Sequence, residues 1–296
     1  MGIGYLGAKM LWNARQRGVS FGETLTLAHL SLRLFPGQVS SLRDVYRDEY
    51  EQDETPLDDY HWGHYVDGFL RDYLGASTIS VLDASPYQGA DLIHDMNFPV
   101  PLEWHNRFDA VIDGGSLEHI FNVPNALSNL ANMLKVGGSI FVNAPANNLM
   151  GHGFYQFSPE LMFRVFSEAN GFRINNIYMY EASYPSVELT KNEILYQVVD
   201  PESARKRVGL QNKKPVMMMV EATKTSNKNI FETAPLQSDY VAAWSSETEV
   251  DGLGWRKRVG AVVAALPLAL SAPIRGYREK RIYSLRNKEF YTRQRW

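Results

Sequence analysis

The chain has no cysteine among its 296 residues. That excludes disulfides, cysteine-ligated zinc and thiol nucleophiles, and a reducing compartment is compatible with it. No apolar run is long enough to span a bilayer. The apolar stretch Val259–Ile274 has 16 uncharged residues, against about 20 for a spanning helix, and Pro267 interrupts it. The first residues, MGIGYLGAKMLWNARQRG, lack the long apolar core and small-residue cleavage site of a secretory leader, so none is expected. Leu6 stands where a myristoylation signal has Ser or Thr. No G-x-G-x-x-G follows a strand-like segment, which argues against a nicotinamide enzyme. Internal repeats are absent. An expectation of cytoplasmic residence follows from these features together.

The composition is that of a globular protein, 45% hydrophobic and 21% charged. Its charge is unevenly placed. Residues 251–296 carry 11 Lys/Arg against 3 Asp/Glu, whereas residues 1–250 carry 19 against 30. A basic tail on an acidic body suits an anionic partner.

Apolar patterning divides the chain into alternating elements. Residues 6–20 read as a helix and Thr24–Leu32 (TLTLAHLSL) as a strand broken by FPGQ. Residues 39–54 and Asp59–Ala76 read as helices, the second aromatic-rich and closed by Gly75. Strands are expected at Thr78–Ala84, Ala90–Asn97, Phe108–Asp113 and Ser139–Pro145. Helices are expected over Val123–Gly138 and over Ser158–Phe172, the latter with Ser158 as N-cap and Pro159 in first position. RINNIYMYE and PVMMMVEAT read as two further strands. Strand–helix alternation from about 24 to 172 implies a mostly parallel, helix-covered sheet, and the two late strands imply an antiparallel edge. The expected organisation is an α/β domain over 1–224, a linker or surface loop over 225–250, and a basic C-terminal extension over 251–296.

One region carries a resemblance. FDAVIDGGSLEHIFNVPNALSNLANMLKVGGSIFVNAPA contains, in order, Phe108-Asp109, Leu117-Glu118-His119, Leu134-Lys135-Val136-Gly137-Gly138 and Pro145. GHGFYQFSPELMFRVFSEANGF follows, with an aromatic-Ser-Pro-Glu-Leu helix ending in Gly-Phe. This series resembles the class I S-adenosylmethionine-dependent methyltransferases over residues 78–180, with an extension to 24–224. The resemblance implies a Rossmann-like, doubly wound sheet with S-adenosylmethionine across the carboxyl ends of its strands. It maps Asp83 to the acid that binds ribose hydroxyls, Asp95 to the adenine position, and Asp113-Gly114-Gly115 to the turn after the fourth strand. The 26 residues from Asp83 to Asp109 leave room for one short strand, so Thr78–Ala84 is the second strand and Thr24–Leu32 the first. The first-strand turn, Ala28-His29-Leu30, has no glycine where the family is glycine-rich.

Each candidate has a plainer alternative. Asp83 precedes Ser85-Pro86 and would form a turn in any case, and Asp95 does the same in HDMN. Gly114 and Gly115 allow a tight turn whether or not a ligand meets it. Glu118-His119 packs and caps in one reading; in the other, His119 is a general base. His152, Tyr155 and Gln156 lie in the long loop after the fifth strand, facing an acceptor or packing on the next helix. His61 and His64 have a metal-compatible spacing without an evident third ligand, and nothing demands a metal. The apolar tail, flanked by WRKR and RGYREKR, either touches an anionic membrane face peripherally or packs on the domain as a helix. No nucleic-acid module accompanies its basic residues.

The leading expectation is methyl transfer to a small acceptor, such as a sugar hydroxyl in surface-polysaccharide synthesis, with His152 or His119 as base. The alternative is an inactive, methyltransferase-like binding or scaffold protein, favoured by the glycine-free first turn.

Overall fold

The computed structural model describes residues 2–183, 186–245 and 268–296. Nine strands form one sheet. Five run parallel at its centre and one side: β2 (Glu23–Leu27), β4 (Thr78–Asp83), β5 (Leu92–Ile93), β6 (Phe108–Asp113) and β7 (Leu134–Asn147). The other side is antiparallel: β10 (Val216–Lys224) lies between β7 and β8 (Phe172–Glu181), followed by β9 (Ile194–Val198) and β11 (Tyr291–Arg295). The doubly wound, mostly parallel sheet is therefore present, with an antiparallel margin of four strands. Two short strands, β1 (Gly2–Gly4) and β3 (Ser31–Arg33), pair separately in parallel.

Alternate residues of each strand enter different layers, as the period of a strand requires. Val111, Ile140, Val142, Met218 and Val220 pack with helices α3 (Val123–Met133) and α4 (Pro159–Val165). Ala110, Ile112, Phe141, Met217 and Met219 pack on the opposite face with α1 (Tyr5–Gln16) and α2 (Pro36–Tyr50). Both faces of the central strands are covered, which is why those strands read as near-continuous apolar runs.

Several boundaries differ from the sequence expectation, each for a tertiary reason. Thr24–Leu32 is two strands, because Ala28 takes φ +60° and turns the chain so that Ser31–Arg33 can pair with β1. The helix expected over 59–76 is mostly turns: Ser31 bridges to Tyr65 and Leu30 O accepts from Val66 N at 2.9 Å. Helical structure there is confined to the end, including a π-helical turn at Phe69–Tyr73. The third parallel strand keeps two residues. The helix over 123–138 stops at Met133, because Leu134 already pairs with Phe108. Lys224 satisfies that helix end, donating to Ala131 O and Leu134 O at 2.8 Å each. Helix α4 is capped by Ser158, as expected, but gives way to a 3₁₀ turn at Glu168–Asn170 and to Gly171 at φ +75°. A further helix, α5 (Ser238–Ser245), occupies part of the expected linker.

The region set apart as a C-terminal extension supplies β11. Phe290 and Tyr291 are 1% and 2% exposed and sit in the core with α3 and α4. Before them, residues Leu268–Ile282 form helix α6. The apolar stretch Val259–Ile274 falls outside the described residues up to 267, as does WRKR at 255–258. Among the described residues no helix is long and apolar enough to cross a membrane. Phe290→Ala is expected to cost about 3–5 kcal/mol in urea denaturation, the range for emptying a buried phenylalanine site; a loss below about 1 kcal/mol would show that the tail does not belong to the core.

Candidate functional site

Strand β2 is the turning point of the sheet. Leu27 pairs with Leu82 of β4 on one side and Asp113 of β6 on the other, all in parallel. Consecutive strands are thus laid outward from β2 in opposite directions, and a crevice opens beyond their carboxyl ends. Ala28, His29, Asp83, Asp113, Gly114 and Gly115 all lie at this edge. The placement of β4 directly beside β2 also agrees with Thr78–Ala84 as the second strand.

The turn after β2 is closed by side chains. Ala28 enters the left-handed region without being a glycine, which costs an L-residue roughly 1–2 kcal/mol. Its N–H donates to Leu82 O at 2.7 Å, and its carbonyl accepts from Thr26 Oγ1 at 2.9 Å. Leu30 is fully buried and fills the space over Gly114, where a Cβ would lie 2.8 Å from Leu30 Cδ2. His29 reaches across to the β4 side: its Nδ1 faces Gln88 O at 2.8 Å, its Nε2 faces Asp67 Oδ2 at 2.9 Å, and its ring stacks on Tyr65 at 3.4 Å. Asp67, Gln88 and Tyr65 are members of this wall that no local sequence signal marks. The spacing Gly2, Gly4, Gly7 runs from β1 into the first turn of α1, but β1 lies outside the main sheet, and a Cβ at Gly2 would meet Ser31 O at 2.8 Å. Gly2 and Gly7 are thus fixed by close packing, Gly7 against Ile3 Cγ2 at 3.0 Å. A narrow, mostly apolar crevice lies between Gly7, Met10 and Leu11 of α1 and Asp113, Gly114 and Asn143.

The two mapped acids differ in setting. Asp83 is half-buried at the end of β4, with Oδ1 accepting from Ser85 N at 3.2 Å. Asp95 is exposed and directed into its own turn, accepting from Asn97 N at 2.9 Å and Asn97 Nδ2 at 2.7 Å; these bonds hold its carboxyl below the usual range.

Asp113 builds the turn after β6. It is 1% exposed and accepts from Gly115 N at 3.2 Å, Ser116 N at 2.7 Å and Leu117 N at 3.4 Å. Gly115, at φ +108°, supplies the backbone conformation this needs. Glu118, which follows, is fully buried, and among the described residues neither of its carboxyl oxygens has a hydrogen-bond partner. Burial first, then the charge of Asp113, pushes Glu118 up to about 8. Burial also raises Asp113, against the pull of its backbone donors. With three N–H groups aimed at it, Asp113 is the member of the pair that keeps its charge, and Glu118 the one that takes a proton.

The loop after β7 is laced onto this turn. Phe154 N and Tyr155 N donate to Glu118 O at 2.7 and 3.3 Å. Gly153, at φ +115°, is required there, since a Cβ would lie 2.7 Å from Glu118 O. The lacing brings His152 Nε2 within 3.6 Å of Glu118 Oε1 and its ring 5.5 Å from that of His119. Partial desolvation of a ring that stays open to solvent, then the neighbouring His152, lowers His119 below its usual value. The two candidate bases are therefore one cluster, and Glu118 is part of it; the cap of the turn is Asp113. Tyr155 and Gln156 are used within the loop: Tyr155 Oη donates to Phe121 O at 2.7 Å, and Gln156 Oε1 accepts from Leu149 N at 2.8 Å. Phe121 and Phe154 stand exposed at the rim, edge to face. The rings of His61 and His64 lie 3.3 Å apart at their centroids, tilted by 50°, on a turn rather than a helix face.

No protein-family model and no curated protein matches the chain. Among solved structures it is similar to a putative methyltransferase from Bacillus halodurans, with 11% identity, 73% of this chain and 99% of that chain covered, and a TM-score of 0.41. It is also similar to the 1,6-didemethyltoxoflavin N1-methyltransferase of Burkholderia thailandensis, solved with S-adenosylhomocysteine, at 10% identity, 74% and 78% coverage and a TM-score of 0.41. A third is the branched-chain polyamine synthase of Thermus thermophilus, solved with 5'-methylthioadenosine, at 14% identity, 78% and 59% coverage and a TM-score of 0.38.

The packing of Leu30 on Gly114 can be read from a double-mutant cycle. Gly114→Ala alone should destabilise, and Leu30→Ala should remove most of that effect, giving a coupling of about 1 kcal/mol or more. Additive losses would mean that Leu30 does not fill the turn.

Proposed function

We propose that the chain transfers a methyl group from S-adenosylmethionine to a small acceptor. The observation that carries this reading is the pairing of two acid-bearing strand ends around β2: Asp83 on β4 and the Asp113-Gly114-Gly115 turn on β6. The donor set suits an adenosine-type ligand on the acid side, where Asp83 has one oxygen engaged by its own turn and a second to offer a ribose hydroxyl.

When bound, the donor supplies an electrophilic methyl on a sulfonium. The protein's work is then alignment and exclusion of water. Asp83 holds the ribose, and Leu30 and Gly114 form an apolar wall beside it. The loop over 148–157 faces the acceptor. His119, lowered by partial desolvation, stays neutral near pH 7 and is able to accept a proton from an acceptor hydroxyl, with His152 beside it. The exposed rings of Phe121 and Phe154 suit a sugar's apolar face, which is the support for a carbohydrate acceptor. A peripheral contact of the basic tail with an anionic membrane belongs to the same proposal and rests on charge alone.

A second reading, a methyltransferase-like binding protein without activity, is favoured by one observation: Leu30 and His29 occupy the turn that the resemblance expects glycines to open. Calorimetry with S-adenosylmethionine separates the two. The intact chain is expected to bind, and Asp83→Ala to weaken binding at least tenfold. Absence of binding at near-millimolar donor would leave the second reading standing; unchanged affinity in Asp83→Ala would remove that residue from the site.

A further inference from the structure

We infer that Glu118, His119 and His152 form a site for a divalent first-row transition ion, for which zinc is a suitable probe. Each residue offers one ligand atom, and these atoms lie within 4.8 Å of one another. Two imidazole nitrogens with one carboxylate oxygen are a donor set that zinc and related ions accept, with further coordination positions left open. Ligands at about 2.0–2.1 Å from a tetrahedral ion are roughly 3.4 Å apart. The 3.6 Å between His152 Nε2 and Glu118 Oε1 is already close to that.

Three features argue for a built site. The first is Glu118 itself: an acid with no exposure and, among the described residues, no hydrogen bond to either oxygen, directed at His152, is costly to ionise unless a cation meets it. The second is rigidity. Glu118 is held by the Asp113 turn on one side. Phe154 and Tyr155 bond its carbonyl on the other, so the loop bearing His152 cannot drift. A Cβ at Gly115 would come within 3.1 Å of Glu118 Oε1, so glycine at that position leaves the carboxyl group its place in the turn. The third is access. His119 and His152 are exposed, so the remaining coordination positions face solvent beside Phe121 and Phe154. Among the described residues this is the one group of three potential ligands so placed. The site stands on these contacts whether or not the chain binds S-adenosylmethionine; with an ion bound, His119 and His152 are its ligands, and the proton-accepting role given above belongs to the ion-free chain.

The test titrates the chelator-treated full chain with zinc chloride by calorimetry, and with cobalt(II) by visible absorption. The expected result is one equivalent of zinc and cobalt bands of a low-symmetry nitrogen–oxygen site. His119→Ala and His152→Ala should each weaken binding at least tenfold. Both side chains are exposed, so these variants should fold as the wild type does by circular dichroism; Glu118→Gln is secondary because its site is buried. His61→Ala/His64→Ala should bind as the wild type does. Undiminished binding in His119→Ala/His152→Ala would overturn the inference, as would loss of binding in His61→Ala/His64→Ala or no saturable binding up to millimolar zinc. No donor is present in this experiment, so its failure leaves the methyl-transfer reading untouched.

Discussion

The site depends on a buried carboxylate that organises backbone. Asp113 ends β6 and collects the N–H groups of Gly115, Ser116 and Leu117, which would otherwise be unsatisfied at the end of a strand. This folds the chain back at the edge of the sheet and sets the Glu118-His119 pair beneath the loop from β7. It also brings Gly114 against Leu30. Three parts of the molecule, the β2 turn, the 3₁₀ turn at Leu117–His119 and the β7 loop, are therefore positioned by one side chain.

The close spacing of two buried acids follows from that arrangement. In an apolar interior both cannot hold charge cheaply. Asp113 is surrounded by donors; among the described residues Glu118 has none. Such asymmetry separates a structural acid from one left available, and it coincides with two exposed imidazoles. Elsewhere the buried charges are matched: Glu221 meets Arg17, Asn175 and Asn176, and Lys224 meets three oxygens at the end of α3. Among the described residues Glu118 is the acid with both oxygens left without a hydrogen bond, and its place at the carboxyl edge of the sheet gives it functional weight.

What the sequence made legible was local. Phe108–Asp113 and Thr78–Asp83 are short β-rich runs ending in an acid and turn residues, and they fold as such. Ser158-Pro159 announces α4 by cap chemistry. The layered α/β order followed from alternation. The losses were all tertiary. Nothing local tells that Ala28 will adopt a glycine-like turn, because the reason is the pairing of β3 with β1. The aromatic run over 59–76 has helical composition, but its backbone bonds to Leu30 and Ser31. Strands β9 and β11 are hidden, since a strand of polar YTRQR composition acquires its state only from the partner it finds. Glu118 and His152 meet through backbone bonds between distant segments, which no spacing rule encodes.

The basic end of the chain takes on another meaning once β11 is placed. It is the outermost strand of the antiparallel side, and among the described residues one flank of its backbone has no neighbouring strand. Open strand edges invite a second molecule to add on. Here Arg293 and Arg295 are exposed on that strand, with Arg295 3.8 Å from Glu193. Two copies approaching edge to edge would bring these basic strands together, and the repulsion discourages the sheet from continuing into another molecule.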